Sequence, residues 1–122
     1  MTTLIALLVV SASAQEVMRK EKNGTYIINT TTLATSVTGY RGTTPLEITI
    51  KKNKIVQVKP LRNMETPKFF QRVSQQMVPK YAGQPVGKKE MPQVDGVTGA
   101  TLSSKAVQEN VRRGVAYYLK HK

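Results

Sequence analysis

The chain has 122 residues, 19 Lys or Arg against 7 Asp or Glu, and a formal net charge of +12 at pH 7. That length suits one domain. With no Cys and 1 His, at position 121, the composition excludes disulfides, thiol catalysis and Cys-held zinc or iron–sulfur centres, and it gives no basis for a His metal site or a Ser-His-Asp triad. The sign imbalance points to an anionic partner of one of three kinds: nucleic acid, a membrane surface or a phosphorylated cofactor.

In chain order, Leu4 to Val10 is a continuous apolar run, and Ala12 and Ala14 fit the A-x-A pattern of a secretory cleavage site. Met1-Thr2-Thr3 lacks the positive charge of a typical leader, and a buried N-terminal element is the alternative. The run falls well short of the roughly 20 residues that span a bilayer, so no transmembrane anchor is expected. All charged residues follow Ala14. The expectation is a signal peptide over residues 1–14, one domain over residues 15–122, and an exported protein. Export weakens the nucleic-acid reading, as does the lack of aromatics interleaved with the basic residues.

Residues 15–23 read as a frayed end or a helical lead-in. Tyr26 to Thr32 and Ser36 to Tyr40 are rich in β-formers and read as strands. Gly39-Tyr40-Arg41-Gly42 reads as a turn or bulge. Leu46 to Lys51 alternates apolar and polar residues as a half-buried antiparallel strand does. Lys52-Asn53 supplies a tight turn, and Lys54 to Lys59 returns as its partner. Pro67 opens a helix with Phe69, Phe70, Val73 and Met77 on one face, ending near Val78 before Pro79. Lys80 to Pro92 is an irregular loop. Ser103 to Leu119 is a helix with Val107, Val111, Val115 and Tyr118 on its apolar face, and Gly114 within it costs about 1 kcal/mol relative to Ala unless close packing requires it. The expected fold class is α+β: a small, mainly antiparallel sheet with a β-hairpin, packed against the C-terminal helix and one further helix.

The segment from Asp95 to Ser104 carries the chemistry. It is a glycine-bearing turn feeding a helix N-terminus, with hydroxyls at Thr98, Thr101, Ser103 and Ser104. Unpaired N–H groups and the helix dipole favour an anion there, and Gly99 and Ala100 let a ligand approach the backbone. The plain alternative is a capped helix, with Thr101, Ser103 or Ser104 as N-cap. Neither a Walker A loop nor GxGxxG after a strand is present. No carboxylate pair exists for general acid–base work: Glu65 and Asp95 stand alone near the loops, so no catalytic residue is assigned.

Asp95-x-x-Thr98-Gly99-Ala100-Thr101 resembles the D-x-x-[ST]-G-A-T motif of the FMN-binding domain family. That family includes flavin-bearing subunits of the sodium-pumping NADH:quinone reductase and of the Rnf complex. Gly39-Tyr40-Arg41-Gly42, Pro45-Leu46 with the hairpin, Glu65-Thr66-Pro67 and Ser103-Ser104-Lys105-Ala106-Val107 match further family stretches in the same order. Lys68 departs from the pattern, standing where the family usually has Gly. The resemblance implies FMN attached by a phosphoester to Thr101, donated from FAD by a flavin transferase. It implies a cofactor loop of Asp95, Thr98, Gly99, Ala100, Leu102 and Ser103, flanked by Glu65, Thr66, Gly39 and Tyr40. Lys105, one turn on, is a candidate cation for the phosphate; a solvated surface lysine is the plain reading of it.

The expectation is therefore an exported electron carrier rather than a stand-alone enzyme. Its expected partners are the transferase and extracytoplasmic electron donors and acceptors, an acidic redox protein among them, with contact to a membrane surface as a further possibility. Two alternatives stand beside it: a secreted basic module that binds an anionic polymer or surface without redox chemistry, and a domain that holds FMN noncovalently.

Overall fold

The computed structural model describes residues 17–38, 42–61, 67–89 and 91–122, with the backbone alone at residues 67–69. Four strands, β1 (Met18–Lys20), β2 (Tyr26–Asn29), β3 (Leu46–Lys51) and β4 (Lys54–Pro60), form one sheet in the order β1-β2-β3-β4, every pair antiparallel. Helix α1 (Pro67–Gln76), a 3-10 turn (Val78–Tyr81) and helix α2 (Thr101–His121) cover one face of it. This is the α+β arrangement that the periodicity predicts.

Alternation explains why β3 lies where it does. Leu46, Ile48 and Ile50 are fully buried under the helices, while Glu47, Thr49 and Lys51 face the other side. The returning strand does not alternate in step. A bulge lets Ile50 pair with Ile55 and Thr49 with Gln57, so Val56 is an extra residue. Ile55 and Val58 therefore both point inward, and Val56 is left 51% exposed.

Helix α2 lays Val107, Val111, Val115 and Tyr118 onto the sheet. Gly114 is required by this close approach: a Cβ there would lie 2.6 Å from Ile48 Cδ1 and 3.0 Å from Thr30 Cγ2. Beside it runs a buried polar latch. Thr30 Oγ1 donates to Asn110 Oδ1 at 2.6 Å and accepts from the Leu46 amide at 2.9 Å, and Asn110 Nδ2 donates to the Ala106 carbonyl at 2.8 Å. The latch joins β2, β3 and α2 at one point with its buried polar atoms paired.

Several expectations are corrected. Residues 17–23 are neither frayed nor helical, because Met18–Lys20 pairs with β2; residues 15 and 16 lie outside the described residues. The strand starting at Tyr26 stops at Asn29, whose Oδ1 accepts from the Thr31 amide and hydroxyl and so bends the chain away. In the stretch from Ser36 there is an isolated bridge between Thr38 and Thr43 rather than a strand; residues 39–41 lie outside the described residues. The first helix ends at Gln76, and Val78–Tyr81 continues as a 3-10 turn with Pro79 in its first turn. The last helix starts at Thr101, two residues earlier than expected. The loop between the 3-10 turn and that helix is partly ordered by the hairpin: the Ile55 amide donates to the Gln84 carbonyl at 2.9 Å and the Val86 amide to the Asn53 carbonyl at 2.9 Å.

Candidate functional site

Thr101 is the first residue of α2, and Ala100, not a hydroxyl residue, occupies the N-cap position without any side-chain cap bond. The first carbonyl used by the helix is that of Ala100, which accepts from the Ser104 amide at 2.9 Å. The amides of Thr101 and Leu102 thus find no acceptor among the described residues. The first turn contains no acidic side chain, so the positive end of the helix dipole is left uncompensated.

The turn ahead of the helix is held from three sides. Ser104 is buried and reaches back, its Oγ accepting from the Val97 amide at 2.9 Å. Gln108 Nε2 donates to the Val94 carbonyl at 2.9 Å. Arg72 Nη2, from α1, donates to the Thr98 carbonyl at 2.6 Å. Two glycines make this geometry possible. Gly99 has φ +85° with Arg72 Nη1 only 3.2 Å from where a Cβ would sit. At Gly96 a Cβ would lie 2.8 Å from Ser104 Cβ. The glycines therefore serve backbone shape and close packing within the turn.

What remains open to solvent is the chemically useful part. Thr98, Thr101, Lys105 and Asp95 are exposed, and Leu102 is 53% exposed beside them. Ala100 and Ser103 are buried and support the turn from beneath. A depression of about 380 Å³ is lined by Gly96, Thr98, Gly99, Thr101, Lys105 and Gln108 among others. It adjoins a larger groove of about 560 Å³ that shares Lys105 and Gln108 and continues over Tyr81, Met91 and Asp95 toward Glu109 and Arg112. Arg112 donates two hydrogen bonds to Glu109, which with desolvation opposing and a further bond from Arg113 at 2.8 Å brings that carboxyl down to about 2. Burial pushes the Tyr81 phenol up to about 12. Beside Asp95 and Lys105, the groove wall thus presents a neutral phenol at Tyr81 and, at Glu109, an anion paired with two guanidinium groups.

Of the residues expected at the site, Asp95, Thr98, Gly99, Ala100, Thr101, Leu102, Ser103 and Lys105 come together in this turn and the first turn of α2. Gly39, Tyr40, Glu65 and Thr66 lie outside the described residues. The hydroxyl cap is corrected: the Thr101, Ser103 and Ser104 side chains do not cap α2, because Ser104 instead closes the preceding turn. Arg72 and Gln108 were not legible in sequence. Each lies one position off an apolar helix stripe and shows its purpose only once the turn is folded against it.

A small sheet backed by helices, with orphan amides and exposed hydroxyls gathered at one helix start and flanked by cations, is a domain built to hold an anionic group. The chemistry of that donor set fits a phosphate-bearing cofactor. The FMN-binding domain family matches residues 39–116, well over half of the chain, and the chain belongs to that family. Its cofactor is accordingly FMN. No curated protein and no solved structure was found to match. Among the described residues, no group of His, Asp and Glu side chains is arranged to hold a metal ion, and no helix is long and apolar enough to cross a membrane.

Proposed function

We propose that this protein is an exported electron-transfer flavoprotein that carries FMN as a phosphoester on Thr101. The observation that supports this most is the placement of the Thr101 hydroxyl: exposed, at the first position of α2, on a turn pinned by Ser104, Gln108 and Arg72. A threonine hydroxyl is a weak nucleophile, and no imidazole or thiol stands near to activate it. The base and metal for attachment come from the transferase; this chain presents the hydroxyl. Thr101 Oγ1 bonds to the flavin-side phosphorus of FAD, the pyrophosphate P–O bond breaks, AMP leaves, and the threonine proton passes to the transferase.

The ester leaves one negative charge beside the Thr101 and Leu102 amides, where the helix dipole and the Lys105 ammonium favour it. Arg72 holds Thr98 in place through the bond from its Nη2 to the Thr98 carbonyl. When bound, FMN supplies reversible one- and two-electron transfer, the protein contributing orientation and electrostatics. The apolar run and A-x-A pattern before Gln15 support export, and a covalent tether suits a compartment where dissociated flavin would be lost.

Intact mass after coexpression with a flavin transferase tests the reading. The wild type gains one FMN less one water, and the flavin stays with the denatured chain; Thr101→Ala gains nothing. A wild type that remains unmodified, or releases its flavin on denaturation, overturns the covalent assignment.

A further inference from the structure

The basic residues are not spread evenly over the fold. Because β1 to β4 are antiparallel neighbours, the β1–β2 turn and the β3–β4 turn fall at the same end of the sheet: Lys20 pairs with Tyr26, which pairs with Ile50. That end carries Lys20 and Lys22 from the first turn and Lys51, Lys52 and Lys54 from the second. The C-terminus of α2 arrives there too. Asn53 Oδ1 accepts from Tyr118 Oη at 2.6 Å and from Lys122 Nζ at 3.0 Å, which locks the hairpin tip to the helix and adds Lys120. The segment 83–86 runs antiparallel along β4 toward the same turn, with Pro85 opposite Lys54, and so delivers Lys88 and Lys89.

These lysines make up nearly half of the 19 basic residues of the chain. All are exposed except the half-buried Lys51, and Glu21 is the one acidic side chain on this end among the described residues. The arrangement is maintained at a cost. Lys51 and Lys54 face each other across the strands as like charges, and Lys52 adopts φ +53°, a conformation in which Gly or Asn would be less strained. Folding alone would favour fewer cations at this tip.

The lysine-bearing end is the end of the molecule opposite to Thr101. Helix α2 has 21 residues and separates the two by about 30 Å. A partner seated on the lysines does not touch whatever Thr101 carries, so this surface holds the protein rather than exchanging with its cofactor. The composition also selects among anionic partners. Protein interfaces favour Arg, Tyr and Trp and are depleted of Lys. Here the cations are lysines on flexible stems; Tyr118 is buried, and Tyr26 packs edge-on against it at 5.2 Å between centroids. Single-stranded nucleic acid stacks on open aromatic faces; here Lys20 and Lys122 lie over the Tyr26 and Tyr118 rings, and Tyr117 is already stacked on His121 at 4.1 Å between centroids. Flexible point charges over a broad end suit a plane of mobile anionic headgroups.

We infer that the lysine end formed by the two sheet turns, loop residues 88 and 89 and the C-terminus of α2 docks on an anionic phospholipid bilayer and holds Thr101 on the side facing away from the lipid. The attraction is electrostatic, about fivefold in partitioning per lysine that reaches the surface, and weakens once added salt shortens the Debye length.

Co-sedimentation of the full chain with vesicles tests this independently of flavin loading. Binding is expected to phosphatidylglycerol-containing vesicles at low salt, with loss at about 1 M salt and none to pure phosphatidylcholine. Lys52→Gln with Lys54→Gln should lower partitioning about 30-fold, and Lys52→Arg with Lys54→Arg should restore it. Lys59→Gln with Lys80→Gln, the same charge removed elsewhere, should change it by less than about threefold. Thermal melts of each variant report folding. Equal binding to phosphatidylcholine, equal losses from the two Gln pairs, or binding to polyglutamate without binding to vesicles would each overturn the proposal.

Discussion

At the scale of single residues, the site depends more on what is absent than on what is present. Gly99 lacks a side chain where the backbone turns left-handed under Arg72, and Gly96 lacks one where Ser104 presses in. Gly99→Ala is expected to cost about 1–2 kcal/mol of stability from the positive φ alone, and to lower flavin loading as the turn shifts against Arg72. Arg72→Ala is a cleaner probe. It removes one exposed hydrogen bond to the Thr98 carbonyl and changes stability by only about 1 kcal/mol, yet loading by the transferase should slow because Thr98 and Thr101 lose a fixed relation. Intact mass against time, with melting temperature alongside, separates the two effects. The motif residues were legible because a turn of small and hydroxyl residues before a helix has a recognisable chemistry. Arg72 was not, because nothing in its neighbours along α1 marks which arginine will meet a loop 26 residues further on.

At the scale of elements, α2 joins the two ends of the molecule, and its fit to the sheet is set at Gly114. Helix propensity favours Gly114→Ala by about 1 kcal/mol. The added methyl, however, would enter space already taken by Ile48 and by Thr30, and overpacking costs about 1–3 kcal/mol. Thr30 cannot yield readily, since its hydroxyl is engaged by Asn110 and by the Leu46 amide. The expected outcome is net destabilisation of about 1 kcal/mol, and Gly114→Val should be worse; urea denaturation midpoints check the order. The hairpin shows where sequence reading stops at this scale. Alternation predicts β3 and the Lys52-Asn53 turn predicts its partner, but the bulge beside Thr49 and Ile50 depends on how the hairpin packs, and it alone turns Val56 outward.

At the scale of the whole molecule, Glu109 and Tyr81 make stability depend on pH in opposite directions. Glu109 is held at about 2 by its bonds from Arg112 and Arg113. A depressed carboxyl contributes above its ordinary value near 4.5 and loses that contribution as pH falls through about 2. On a largely solvated pair this is worth under about 1 kcal/mol. Tyr81 has the opposite sign: raised by burial from 10.0 to about 12, it contributes fully below pH 10 and the contribution is lost as pH rises through about 12. Tyr81→Phe should flatten the alkaline limb of stability against pH, and Glu109→Gln the acid limb, both read from melting temperatures across the range.

The sequence by itself determined the β3–β4 hairpin, the two helices with their apolar faces and the presence of a flavin motif, because periodicity and turn chemistry act over a few neighbouring residues; β1 was decided only by its pairing with β2. The sequence also determined the amount of charge. Only the tertiary structure decided where that charge lies. Antiparallel pairing, the Asn53 link to Tyr118 and Lys122, and the return of the chain past Pro85 gather lysines from four distant segments at the end opposite to Thr101. Contacts between residues far apart in sequence leave no local signature, and for that reason a composition of +12 becomes a surface with a direction only in the folded chain.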